Sequence, residues 1–204
     1  MLVAIERDPV ICKEVMDRSM SSEGLVFNIG YPFAWNQSLA AGGNNLNASY
    51  NSGQGSHLQK IYWAPYPTTP ATPNLVYDKS NLANIKITQF QSFINGIAVQ
   101  QTPFVPQNGD DFKYMRDKLR GSDILSFNEY LYNWVWVEDF LGDDNQFLHD
   151  LYPDVPKENL IDGLPLIGNT TYQITATSAV PLNNYLFAVF LREVRISNAG
   201  ITIA

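Results

Sequence analysis

The sequence predicts an all-β protein, and three stretches predict it. Residues 163–204 read as strands in close succession: Gly163-Leu164-Pro165-Leu166, Thr171–Ala179, Tyr185–Ser197 and Ile201-Thr202-Ile203-Ala204. The sequence ends on the last of these, where pairing is expected to tie it down. In 85–101, Ile85, Ile87, Gln89, Gln91 and Phe93 alternate with Lys86, Thr88, Phe90, Ser92 and Ile94, and Asn95-Gly96 then leads into Ile97–Gln101. An Asn-Gly pair between β-rich runs predicts a hairpin, because both central residues of a type I′ turn take positive φ. Leu125–Phe140 sets Tyr130, Tyr132, Trp134, Trp136 and Glu138 on one face and Leu131, Asn133, Val135, Val137 and Asp139 on the other. Bulky groups on one side suit a strand packed between two sheets.

The remaining elements follow in order. Residues 5–20 predict a helix: Asp8 is a ready N-cap, Pro9 a first-turn residue, and Val10, Ile11, Val15 and Met16 recur on one face. So short a stripe needs something to lie against. That support is either its own domain, or a neighbouring subunit or membrane surface. Residues 24–35 predict a strand. Residues 36–57 are dominated by Asn, Ser, Gly, Ala and Gln and predict a long polar loop. Leu58–Tyr66 returns to a strand, and Pro65, Pro67, Pro70 and Pro73 predict an extended connector over 65–73. Residues 109–120 predict a short helix capped by Asp110 or Asp111 and closed by Gly121. Residues 141–162 predict an acidic loop with one helical turn around Asn145–Leu151. Pro181, Asn183 and Asn184 predict the turn between the closing strands, and Asn198-Ala199-Gly200 the final bend.

With 204 residues, no internal repeat and no shift in composition, the chain suits one large β domain or one domain with an appended arm. A net charge of −7 argues against a nucleic-acid surface, which needs a clustered basic patch. The densest basic stretch, Lys113, Arg116, Lys118 and Arg120, is mixed with Asp111 and Asp117 and reads as a solvated helix face. The single cysteine, Cys12, forbids an intramolecular disulfide and reads as a small apolar helix residue. Glu6, Arg7 and Asp8 interrupt any signal-peptide core, and no apolar stretch approaches the ~20 residues of a membrane span. Both readings lead to an expectation of assembly in a cytoplasm, where the sequons at Asn36, Asn47 and Asn169 carry little meaning.

No catalytic residue, cofactor or metal ligand is expected. His57 and His149 are not spaced with another soft ligand. Asp139, Asp143, Asp144, Asp150 and Asp154 miss the calcium-loop pattern. Glu138 and Asp139, as strand neighbours, point to opposite faces and do not converge. Gly42-Gly43 and Gly53-Gln54-Gly55 precede no helix and read as flexibility. Tyr62, Trp63, Tyr130, Tyr132, Trp134 and Trp136 form either a stacking platform for sugars or bases, or a sandwich core, and the alternation favours the core.

The hairpin Ile87–Val99, the strand Tyr130–Phe140 ending Val135-Trp136-Val137-Glu138-Asp139-Phe140, the lead Gly163–Leu166 into Tyr172–Thr175, and the closing Tyr185–Val189 together resemble viral jelly-roll capsid proteins, in particular the double jelly-roll lineage of tailless icosahedral viruses. The resemblance covers about residues 84–204 and is one of pattern and order. It implies a jelly-roll β-sandwich of about eight strands, with a short N-terminal helix and one or two short helices in loops. Residues 1–22 would form a helical arm and 23–204 the jelly-roll domain. The implied role is a structural virion protein, not an enzyme, that self-assembles with copies of itself and other capsid proteins into an icosahedral shell. A homo-oligomer follows, with a trimer favoured over a pentamer, and the N-terminal helix lying near an internal membrane. A full double jelly roll needs a longer chain, which leaves a single-barrel protein, a vertex or minor protein, or one part of a longer polyprotein. The assembly regions would be 5–20, 36–57, 65–73 and 141–162. A carbohydrate- or receptor-binding jelly roll is the alternative, and a cupin-like enzyme the weakest reading, since the two histidines lack clustered ligands.

Overall fold

Two-residue periodicity and antiparallel pairing organise the chain into two sheets in this computed structural model, which describes residues 8–68, 85–106, 109–118, 130–131, 134–142, 146–154, 156, 160 and 162–203. The strands are β1 (Leu25–Leu39), β2 (Gly42–Tyr50), β3 (His57–Pro67), β4 (Ile87–Ile94), β5 (Ile97–Ala98), β6 (Trp136–Asp139), β7 (Leu164–Pro165), β8 (Thr170–Ser178), β9 (Leu182–Ser197) and β10 (Gly200–Ile203). The helices are α1 (Pro9–Ser19), α2 (Asp110–Lys118) and α3 (Gln146–Leu151). One sheet runs β1-β9-β3-β6, with β7 beside β3 and β10 beside β9, and the other runs β2-β8-β4-β5.

Setting the short β7 and β10 aside and renumbering the other strands in chain order, the sheets read 1-8-3-6 and 2-7-4-5. First pairs with last, second with seventh, third with sixth and fourth with fifth. That is one long hairpin rolled up so that its halves face each other, the wiring of a jelly roll. The fold class read from the sequence therefore holds.

The Asn95-Gly96 turn has φ of 50° and 80°, as a type I′ turn requires. Asp8 caps α1 through a 2.8 Å bond from the Val10 amide to Oδ1, with Pro9 behind it. On β8, Thr170, Tyr172, Ile174, Ala176 and Ser178 are buried in strict alternation, and on β9 the same holds for Leu182, Asn184, Leu186, Ala188 and Phe190.

Five expectations need correction. Residues 36–57 are not a long loop: β1 runs to Leu39, β2 occupies Gly42–Tyr50, and only a tight turn separates it from β3. Leu46, Ala48 and Tyr50 are buried on alternate positions of β2, and the polar residues between them form its other face. The polar half of an amphipathic strand hid its period. Among the described residues of 125–140 only Trp136–Asp139 is strand, all four residues are buried, and Tyr130 and Leu131 are helical. Residues 125–129, 132 and 133 lie outside the described residues. Asn183 and Asn184 belong to β9, and Pro65 and Pro67 to β3, where they pair with Asn184 and Leu182. Asn184 is buried because its side chain accepts from the Trp63 indole at 2.9 Å and donates to the Gln37 carbonyl at 3.3 Å. Gly55 serves close packing rather than flexibility. A Cβ there would meet the Leu191 carbonyl oxygen at 2.6 Å and Phe190 Cβ at 2.8 Å.

Candidate assembly surfaces

The sandwich interior is filled by aromatic rings. Trp63 packs edge-on against Trp134 (5.2 Å between centroids) and Phe90 (5.5 Å), Phe90 against Trp136 (4.7 Å), and Tyr114 stacks on Trp136 at 5.0 Å. Trp63, Trp134, Trp136 and Tyr130 are all buried. These residues are core and not a platform for a ligand, while Tyr62 is half-buried and Tyr132 lies outside the described residues.

Two carboxylates are enclosed with them. On β6, Glu138 faces inward and reaches the opposite sheet. Its Oε1 accepts from the Ser92 hydroxyl, the Gln100 amide and the Trp136 indole (2.8 Å), and its Oε2 from the Tyr114 hydroxyl at 3.2 Å. Burial pushes this carboxyl above the usual range, against the four donors that favour its charged form. Asp111, expected as a cap, sits inside α2 and accepts from the Tyr130 hydroxyl and the Trp134 indole (3.0 Å). Its carboxyl is also raised by burial. Asp139, next to Glu138, points the other way and pairs with Lys60 at 3.2 Å. The expected divergence of the two acids is observed. Each has its own structural partners, and nothing in the arrangement brings them to a shared substrate position. Among the described residues, no three His, Cys, Asp or Glu side chains come together to hold a metal ion.

The surface is where the apolar surplus lies. β1 is an edge strand, and its Trp35 and Leu39 pack against the core. Phe33, Tyr31, Ile29 and Phe27 continue the same face at alternate positions and are exposed. Beyond Leu191 the β1–β9 pair runs past the body of the sandwich and gains β10 as a third strand. Paired residues share a face, so Leu25, Ile196 and Ile201 form one row and Phe27, Val194 and Ile203 the next. The opposite face carries Asn28, Glu193, Arg195 and Thr202, with Glu193 and Arg195 paired at 3.0 Å and Val26 as its one large apolar group. This ribbon has the polarity of a half-buried sheet, yet Ile201 is 68 % exposed, Ile203 60 % and Phe27 47 %. Arg192 marks its root: it bonds the Gln54 and Gly53 carbonyls at 2.6 and 3.2 Å and lies 4.4 Å over the Tyr31 ring. A second surface lies on the outer face of the same sheet, where Tyr66 and Tyr185 meet edge-on at 5.6 Å beside the exposed Phe187.

Of the regions expected to assemble, α1 exposes Ile11, Val15 and Met16 and buries no residue, and Cys12 on it is half-buried. Residues 5–7 lie outside the described residues. So do 69–73 of the connector, and 143–145, 155, 157–159 and 161 of the acidic stretch. The acidic stretch holds α3, whose Leu148 is fully buried, and Asp150 and Asp154 are exposed. His57 begins β3 beside Ser56, and His149 lies on α3. Lys113 and Arg116 are exposed on α2, and Arg120 lies outside the described residues. Among the described residues, no helix is long and apolar enough to cross a membrane. The ribbon's uncovered face was not anticipated, although Phe27, Ile29, Tyr31 and Phe33 alternate in the sequence.

No protein-family model matches the chain, and no curated protein does. Among solved structures, it is similar to a chain of the Sputnik virophage cryo-EM structure (13 % identity, TM-score 0.49, covering 89 % of this chain and 39 % of that one). It is also similar to PBCV-1 VP54 fitted into a reconstruction of the virophage Sputnik (11 %, 0.48, 88 % and 51 %) and to a quasi-atomic model of the PBCV-1 virus capsid (10 %, 0.43, 89 % and 52 %). The chain thus spans between 39 % and 52 % of the viral chains it matches.

Proposed function

We propose that this chain is a structural virion protein, a single jelly-roll capsid subunit that assembles with copies of itself and sister capsid proteins into an icosahedral shell. Residues 1–22 act as an arm and 23–204 as the barrel. One observation carries the reading: the barrel interior is a core of aromatic and aliphatic side chains, while large apolar residues stand uncovered along β1, β9 and β10. Proteins that remain alone rarely leave contiguous apolar surface of this extent. The role is structural and non-enzymatic, and its setting is the virion, after assembly in a host cytoplasm.

Electron microscopy and light scattering of the native material test this. Closed particles of icosahedral symmetry containing the chain in fixed proportion are the expected result. A chain that stays monomeric at high concentration and binds soluble glycans would replace it with the recognition-module reading. The outer aromatics Tyr66, Tyr185 and Phe187 are the residues that reading would use. Glycan binding there would be read by protection of those rings, because Trp63, Trp134 and Trp136 are buried away from any ligand.

A further inference from the structure

We infer that the ribbon β1–β9–β10 pairs with the same ribbon of a second copy of this chain, apolar face to apolar face, about a two-fold axis. This rests on the capsid reading only in naming the chain itself as the partner. Three features of the ribbon argue for that occupant.

The first is area. Phe27, Ile29, Tyr31, Phe33, Ile201 and Ile203 are all on this face and all exposed. With about 200 Å² for a whole side chain of this size, they leave on the order of 600 Å² open. The half-buried Leu25, Val194 and Ile196 add to that. A stable pair needs about 800 Å² per partner, so this one face supplies most of a standard interface.

The second is charge. A two-fold contact sets each group against its own copy or a near neighbour, so a charged face would repel itself. The only charged residue in these rows is Arg192, and it is already held by the Gly53 and Gln54 carbonyls and the Tyr31 ring at the ribbon's root. The Arg195–Glu193 pair lies on the opposite face. The apolar face is therefore compatible with itself.

The third is shape. Three strands with every large apolar group except Val26 on one side form half of a small sandwich, and two such faces stack about 10 Å apart. A lipid surface is the less favoured occupant, because the chain carries a net charge of −7 and the ribbon's own cations, Arg192 and Arg195, are held by the Gly53 and Gln54 carbonyls and by Glu193.

Sedimentation and light scattering of the full chain across the micromolar range provide the test, using Phe27→Glu combined with Ile203→Glu. Ile201→Lys is a milder second variant at the most exposed of these positions, and Phe187→Glu is a control on the outer face. We expect a wild-type mass that is an even multiple of the chain, halved in both ribbon variants and unchanged in the control, with melting temperatures close to wild type throughout. A wild-type chain that sediments singly, a ribbon variant that keeps the wild-type mass, or binding of the monomer to neutral phosphatidylcholine vesicles in place of self-association would each overturn the inference. Closed particles that still form from the ribbon variant would refute the pairing and leave the capsid reading standing. A halved mass without particles from any material would uphold the pairing and remove the capsid reading.

Discussion

Replacing Glu138 tests whether the buried acid is held as an anion or as a neutral group. Three donors converge on Oε1 and only the Tyr114 hydroxyl meets Oε2. A protonated carboxyl fits this pattern once two hydroxyls turn, because Oε2–H can donate to Tyr114 while Oε1 accepts from the Gln100 amide and the Trp136 indole and the Ser92 hydroxyl donates to Gln100 Oε1. A glutamine fits the same way, its Nε2 standing where Oε2 stood. Glu138→Gln should therefore change stability by less than about 1 kcal/mol near the pH of wild-type maximum stability. Glu138→Ala is different. The Ser92 hydroxyl can still donate to Gln100 Oε1 at 2.8 Å, but the Trp136 indole and the Gln100 amide lose their acceptor inside the core. At about 1–3 kcal/mol for each orphaned donor, the loss is about 4 kcal/mol, a large part of the 5–15 kcal/mol of a typical domain.

The pH dependence separates the two states further. Burial raises the folded carboxyl above its unfolded value, so between the two values the folded state binds more protons than the unfolded one. Stability from this residue is thus fully present below the ordinary carboxyl range, about pH 4.3, and falls by about 1.4 kcal/mol per pH unit until the folded group itself ionises. Asp111, raised in the same direction, acts in both proteins and cancels in their difference. Urea unfolding of wild type and Glu138→Gln from pH 4 to 8 should show the variant gaining on wild type as pH rises. A wild type that instead gains on the variant with rising pH would refute the reasoning, since its donors would then hold the charged form.

Further outcomes follow from the packing. Leu46→Ala on β2 should cost about 2–5 kcal/mol in chemical unfolding, because Leu46 is fully buried between the sheets, whereas a true surface loop would lose under about 0.5 kcal/mol. Gly55→Ala should cost about 1–3 kcal/mol by forcing the β2–β3 turn away from the Leu191 carbonyl, read as a lowered melting temperature. Asn184→Ala should cost about 1–3 kcal/mol, because the Trp63 indole keeps its burial and loses its acceptor; Asn184→Asp, which preserves that acceptor but adds a buried charge, should be no better at neutral pH.

The sequence carried the fold where side chains signal their own backbone. Asn95-Gly96 announced a hairpin through its φ demand, Asp8-Pro9 a helix start, and the residues of β8 and β9 a clean alternation. It failed where one face of a strand is polar by composition, as on β2, and where bulky residues mimic a strand, as around Tyr130–Val135. There the Tyr130 and Trp134 rings fill the core from a helical turn and from non-strand backbone. The alternation placed Glu138 on the same face as Trp134 and Trp136, but nothing local marks its four donors, which come from β4, β6, α2 and the segment after β5. The ribbon's apolar face was legible as alternation. That nothing covers it is a property of the assembled sheets and depends on where the opposite sheet stops.

β9 lies between β1 and β3 along most of its length, so residues 182–197 separate strands that were made well over a hundred residues earlier. Without residues 182–197, β1 has no neighbour in its sheet and β3 lacks one of the two between which it lies. Its early strands wait, unpaired along their central seam, until the late strand arrives, and closure is dominated by distant contacts that form slowly. The barrel, and with it every surface that needs both β1 and β9, is therefore withheld until residues 182–197 have taken their place between the older strands.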